Sequence, residues 1–220
     1  MAEKLYIYGC GGHAKVVAAT ARLVGYEIAG FWEDSGERVG MDFFGSEIID
    51  LEDVPQGAEI FVAFGNNQAR LEKGLKLKEN YRIITLIHPS AQIAEGVKIG
   101  VGTYIGALAN IDPECKSGEL CIVNTGANMS HETILHDGCH VCGGSQTAGQ
   151  CSIGRCSMLG IGSCVIEKRS IGANSCIGAG ATVIHDLPDN ITAVGTPAEI
   201  IKRHQTSFSV SNNDVERTEE

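Results

Sequence analysis

From Ile87 onward an aliphatic side chain returns at every sixth position: Ile87, Ile93, Ile99, Ile105, Ile111, then through Val123, Leu135 and Leu159 to Val183. Fifteen of the 17 positions in this register are apolar, where the chain's 43% hydrophobic content would supply about seven. Four residues after each comes a second register, Ala91 to Ala181, in which 14 of 16 positions are Ala, Ser, Thr or Cys. One bulky and one small inward position per six residues is the requirement of a three-sided coil: each short strand buries a large side chain, and each corner admits only a small one. Three hexads make one turn, and stacked turns bury a core that no single turn could bury alone. The pattern predicts a parallel β-helix over 87–198, with a little over five turns across 87–183. A period of six is neither the 3.6 of a helix nor the 2 of an exposed strand. Glycines such as Gly100, Gly154 and Gly178 are expected at corners that need φ > 0.

Residues 1–86 lack this register and alternate strand with helix. The pattern predicts strands at Leu5–Tyr8, Glu27–Trp32, Ile60–Ala63 and Arg82–Leu86, with helices over Ala14–Val24 and Asn67–Lys78. That order implies a parallel α/β sheet of the Rossmann type. Between the first strand and helix lies Gly9-Cys10-Gly11-Gly12-His13-Ala14-Lys15, a turn that lets the helix aim bare N–H groups at a phosphate. Asp34 ends the second strand, where an acid can bond a ribose or base. Gly65 and Asn66 end the third, on the same carboxyl edge.

Net charge is −10, which opposes nucleic-acid binding. No apolar run approaches the roughly 18 residues of a membrane span, and the odd count of nine cysteines with no leader-like start points to a reducing cytoplasm. Cys139 and Cys142 form a CxxC, yet Cys115, Cys121, Cys139 and Cys151 all fall on the small inward register and read as buried filler rather than zinc ligands. Arg169 breaks that register. The segment 199–220 divides into a predicted short capping helix, Glu199–His204, and a polar tail expected to be disordered.

The GxGGHxK turn at Gly9–Lys15, the Gly65-Asn66 strand end, IHPSA at Ile87–Ala91, the Asn124–His131 stretch and AVGTPA at Ala193–Ala198 together resemble the hexapeptide-repeat sugar acetyltransferases of the NeuD/PglD type. The resemblance covers nearly all of 4–204. It implies a left-handed β-helix, a homotrimer, and acetyl-CoA bound in the groove between neighbouring chains. It makes His131 the general base, assisted by Glu132, and His140 a contact to the thioester. Gly11, Gly12, His13, Lys15, Asp34, Gly65 and Asn66 would hold a nucleotide sugar, with a UDP-linked 4-amino sugar the expected acceptor. Gly149, Ile161, Gly162, Gly178 and Gly180 would follow the pantetheine arm, and Lys168 the CoA phosphates. No metal is called for.

Three other readings follow from the same residues. A nicotinamide oxidoreductase needs two mononucleotide-binding halves, and 86 residues supply one. A trimeric zinc hydratase would use His131, His136 and His140, but no histidine lies between His88 and His131 to serve as an upstream ligand. A scaffold without catalysis would leave the His131-Glu132 pair without purpose.

Overall fold

A computed structural model of the chain describes residues 2–205. Its first strand, β1 (Lys4–Tyr8), lies between β2 (Glu27–Trp32) and β5 (Glu59–Val62) in a four-stranded parallel sheet completed by β6 (Arg82–Ile83). Helices α1 (Gly12–Leu23) and α2 (Asn67–Leu77) flank it. A hairpin that the sequence pattern does not disclose, β3 (Asp42–Phe43) with β4 (Ser46–Glu47), follows β2. Its two-residue loop carries positive φ at both Phe44 (52°) and Gly45 (77°), the twist that joins antiparallel strands tightly.

The strand expected over Arg82–Leu86 divides. Arg82–Ile83 completes the sheet, whereas Leu86–Ile87 pairs with Tyr104–Ile105 as the first strand of the coil. From there the chain winds as a left-handed parallel β-helix of about six turns, the register over 87–183 being extended at its end by Ile191–Val194. Every strand is two residues long until the last turn, and its partners lie 18 residues away: Ile122 stands between Tyr104 and His140. Three faces result. The first runs from Leu86–Ile87 through His140–Val141 to Ile191–Val194, the second from Gln92–Ile93 to Thr182–Val183, and the third from Lys116–Ser117 to Ser170–Ile171.

The core follows the two registers. Ile105, Val123, Val141, Leu159 and Ile177 stack along the first face, and Cys115, Cys121, Cys139 and Cys151 fill the small positions, all buried. Burial raises the Cys139 thiol well above its ordinary range. Arg169 turns outward, donating from Nε to the Glu167 carbonyl (3.2 Å) and pairing with Asp186 (3.7 Å).

Corners differ from the expectation for glycine. Positive φ falls on Gly102, Gly162 and Gly180, but also on Leu120, Glu132, Gln150 and Lys168. Gly154 serves another purpose, since a β-carbon there would meet the backbone of the next turn at 2.5 Å. At the far end no helix forms: Glu199–Arg203 is a strand that pairs antiparallel with Ile191–Val194, covering the edge that the coil would otherwise expose. The segment packs as a strand because that edge offers it backbone bonds a lone helical turn could not match. The expected disordered tail, from residue 206 on, lies outside the described residues.

Candidate functional site

The triangular section fixes what can meet what. The N-terminal domain sits on the first face and on the edge between the third and first, where Asn67 Nδ2 donates to the Cys156 and Ser157 carbonyls (3.0 and 3.1 Å). Tyr104 and Ile122 of the first face join the same apolar cluster as Leu5, Val17 and Phe61, so the two domains share a core. The opposite edge, between the second and third faces, carries His131.

That edge is a column of stacked corners. The backbone N–H of Gln150 donates to the His131 carbonyl (2.9 Å), and that of Lys168 to the Gly149 carbonyl (3.0 Å). His131 Nδ1 lies 3.0 Å from Glu132 Oε2, with side chains 59% and 45% exposed. An ionised carboxylate only accepts, so it selects the Nδ1–H tautomer and leaves the Nε2 lone pair free. Gln150 Nε2 donates to the same Glu132 oxygen (3.0 Å), a residue no sequence signal had marked. The bond from His131, then that from Gln150, holds the Glu132 carboxyl below its usual range. Gly149 is the floor of this arrangement: a β-carbon there would collide with His131 Cε1 and Nε2. Its lack of a side chain seats the imidazole.

The predicted nucleotide turn opens on a cleft of about 450 Å³ lined by Gly9 to His13, Glu33, Arg38 and Ala63 to Gly65. Helix α1 begins here with no side-chain cap and no acid in its first turn, which leaves its N–H groups and dipole for an anion. A second cleft of about 490 Å³ shares Glu33 and adds Trp32, Asp34 and Asp50. Gly11, Gly12, His13 and Gly65 are therefore together. Lys15 is not with them; its ammonium lies 5.4 Å from the centre of the Phe43 ring, on the hairpin side of α1. Asp34 is engaged by Lys73 and the Tyr8 hydroxyl, and the Lys73 bond leads in holding its carboxyl down. Asn66 spends its side-chain oxygen capping α2 through Ala69 N–H (2.9 Å).

Between the domains lies a polar seam. Arg70, 1% exposed, donates to the carbonyls of Leu120 (2.8 Å), Gly138 (2.8 Å) and Phe64 (2.9 Å) and to Asn67 Oδ1 (2.9 Å). Burial lowers its pKa to about 10, so it stays charged at neutral pH. His13 and His140 feel that charge. Asn124 Oδ1 accepts from Thr125 N–H (2.8 Å), which turns Asn124 Nδ2 toward His140 Nε2 (3.3 Å). His140 thus accepts at Nε2 and carries its proton on Nδ1, an atom buried without a partner, as is His13 Nε2.

Burial first, then Arg70, lowers the His140 pKa from 6.5 to about 4; burial, Arg70 and His140 lower that of His13 to about 3. Both are neutral when folded and gain a proton more readily when unfolded, so their contribution is fully present above about pH 6.5 and is lost as pH falls toward 4. Urea midpoints are expected to fall between pH 6.5 and 4.5, and His140→Gln to flatten that slope. An equal slope in the variant would remove His140 as its source.

Residues 4–74 match the PglD N-terminal domain family. A histidine-to-asparagine variant of perosamine N-acetyltransferase from Caulobacter crescentus, in complex with CoA and GDP-perosamine, superposes with a TM-score of 0.85 at 35% identity, covering 90% of this chain and 97% of that one. The chain belongs to the hexapeptide-repeat sugar N-acetyltransferases of the PglD/NeuD type. A further member, the acetyltransferase domain of PglB from Neisseria gonorrhoeae FA1090 in complex with acetyl coenzyme A, matches at 30% identity and TM-score 0.84, over 91% of this chain and 100% of that one. Serine acetyltransferase 3, mitochondrial, of Arabidopsis thaliana is 30% identical over 114 residues, 52% of this chain and 26% of that protein. The chain spans less than two thirds of the length of the curated relatives it matches.

The positions that the sugar N-acetyltransferase resemblance marks for the cofactor divide between two edges of the coil. Gly149 and Lys168 rise above His131. Ile161, Gly162, Gly178 and Gly180 lie on the edge between the first and second faces, and His140 on the first face itself. The three histidines of the zinc reading stand apart within one chain: His131 on its edge, His140 in the domain seam, and His136 on a third corner, 3.5 Å from Ser152 Oγ. Among the described residues no group of three metal-ligating side chains gathers, and no helix is long and apolar enough to cross a membrane.

Proposed function

We propose that the chain transfers the acetyl group of acetyl-CoA to the 4-amino group of a UDP-linked amino-deoxy sugar in the cytoplasm, within a homotrimer. The observation that carries the reading is the His131–Glu132 pair, with Nδ1 held by a carboxylate and Nε2 free on an exposed edge. An amine attacking a thioester gains positive charge on nitrogen and places negative charge on oxygen. His131 Nε2 takes the amine proton as the C–N bond forms, the tetrahedral intermediate collapses, and the C–S bond breaks. The departing CoA thiolate takes up a proton. General-base assistance of this kind contributes about 10²–10⁴ in rate. The cysteines of this corner, Cys115 and Cys151, are buried inside the coil with their thiols on backbone carbonyls, which favours direct transfer in a ternary complex over an acyl-enzyme.

The triangular section supports the trimer. His131 occupies the edge opposite the face that carries the nucleotide domain, so an acceptor held by one chain would meet the base of a neighbour. The second face supports this: its outward column, Gln92, Asn110, Asn128, Gln146, Cys164 and Thr182, carries no charge, as suits a surface that packs on a copy of itself. Acetyl-CoA would lie in the groove between chains, along the Gly149–Lys168 column of one and the Ile161–Gly180 edge of the next. The resemblance gives His140 as the contact to the acyl group; its Nδ1–H, buried in the seam of this chain, would donate to the acyl oxygen only once the seam opens to admit it.

Thiol release from acetyl-CoA, followed with a panel of UDP-4-amino sugars, GDP-perosamine and sialic acid, tests the reading. Release is expected with the UDP-linked amines. Release with GDP-perosamine alone would replace the nucleobase, with sialic acid alone the acceptor class, and none with any acceptor would remove the activity.

A further inference from the structure

The cleft at the glycine turn has an anion-seeking backbone, yet Lys15, the cation in the GxGGHxK motif, points away from it. A different cation is present. Arg38 reaches the cleft from the loop after β2 and is the one lysine or arginine among its described lining residues. Its guanidinium is held side-on: Nε donates to Glu33 Oε1 (2.7 Å), Nη2 pairs with Glu33 Oε2, and Nη2 also approaches the Cys10 carbonyl (3.5 Å) at the turn itself. The remaining nitrogen, Nη1, makes no hydrogen bond among the described residues. His13, the other titratable group of the cleft besides Cys10 and Glu33, is neutral and offers a buried, unpartnered Nε2.

From this geometry we propose that Arg38 is the phosphate-reading residue of the acceptor site, with Glu33 as the group that positions it. The proposal rests on the nucleotide-sugar reading above and assigns its diphosphate to a residue that the motif omits. A guanidinium offers two edges, and one carboxylate occupies only one of them. Arg38 lines the same cleft as Gly11 and Gly12 at the uncapped start of α1, so a diphosphate bound there would meet a full positive charge and a helix dipole together. Without Arg38, Glu33 would be left as an unpaired negative charge in the cleft and would repel the ligand. Lysine cannot replace it fully, because an ammonium lacks the planar fork that holds Glu33 through two parallel bonds while leaving a second edge for a phosphate.

The test is binding of UDP and uridine, and of GDP and guanosine, to the full chain, by calorimetry or ligand-observed NMR. Arg38→Ala is expected to weaken the diphosphate at least tenfold while changing the matching nucleoside less than twofold, and Arg38→Lys to recover only part of the loss. Lys15→Ala should leave both within about twofold. The dependence of UDP affinity on salt should also shrink in Arg38→Ala, since a screened charge has been removed. Unchanged diphosphate affinity in Arg38→Ala overturns the proposal, as does an equal loss for nucleoside and diphosphate, which would make Arg38 a support for the loop. A wild-type chain that binds neither diphosphate overturns the nucleotide-sugar reading itself, and the proposal with it.

Discussion

Replacing His131 with alanine lowers turnover by about 10²–10⁴ while acetyl-CoA binding and assembly persist. The expectation has two parts, each from the structure. The imidazole is 59% exposed and seated on Gly149, so its loss opens no cavity in the coil and should cost little stability. It is also the group whose Nδ1 is held by a carboxylate, itself steadied by Gln150, so that Nε2 is left free to accept a proton. Glu132→Gln should therefore cost less than His131→Ala, since it leaves the imidazole in place but loses the acceptor that fixes its tautomer. Thiol-release kinetics and size-exclusion chromatography on the variants decide the matter. An alanine variant that retains a tenth or more of the wild-type rate would remove His131 as the base.

The second large effect is expected from Arg70→Met. This guanidinium sews the domains together by filling the carbonyl acceptors of Leu120 and Gly138 from the coil and Phe64 from the sheet. Methionine matches its length but offers no donor, so at least the two buried coil carbonyls lose their partner. At about 1–3 kcal/mol for each abandoned buried group, the cost is roughly 2–6 kcal/mol. A lowered denaturation midpoint is the expected readout, with the N-terminal domain loosening before the coil. Arg70→Lys keeps the charge but not the fork, and should fall between the two. A midpoint equal to wild type in the methionine variant would show that the shared apolar core, not the polar seam, holds the domains in place.

The coil was legible because its constraint repeats: each inward position meets the same wall, so one pattern is written about sixteen times. The parallel sheet was legible for a related reason, since its strands are buried on both sides and read as apolar runs. What escaped the sequence depends on contacts made once. Glu199–Arg203 has the composition of a helical turn and becomes a strand because Ile191–Val194 offers an unpaired edge. Asp34 looked free until Lys73, 39 residues later, arrived from α2. Lys15 fits the motif, yet the phase of α1 turns it toward Phe43, whose hairpin rests on a short loop with no periodicity. Arg38 and Gln150 carry no motif; only the folded chain brings one to Glu33 and the other to Glu132. His131 and Glu132 could be named in advance because they are adjacent, and their bond needs no tertiary contact to be guessed.

The spacing of 18 residues between paired strands has a consequence for how such a chain can change length. A whole turn can be inserted or deleted as a unit, because the strands on either side of the cut present identical backbone to whatever follows. Only the vertical offset between the nucleotide domain and the closing strand would alter, in steps of one strand spacing, about 4.8 Å. Lengthening the scaffold is thus a matter of counting storeys, while any edit not a multiple of the full circuit rotates everything above it to the wrong side of the tower.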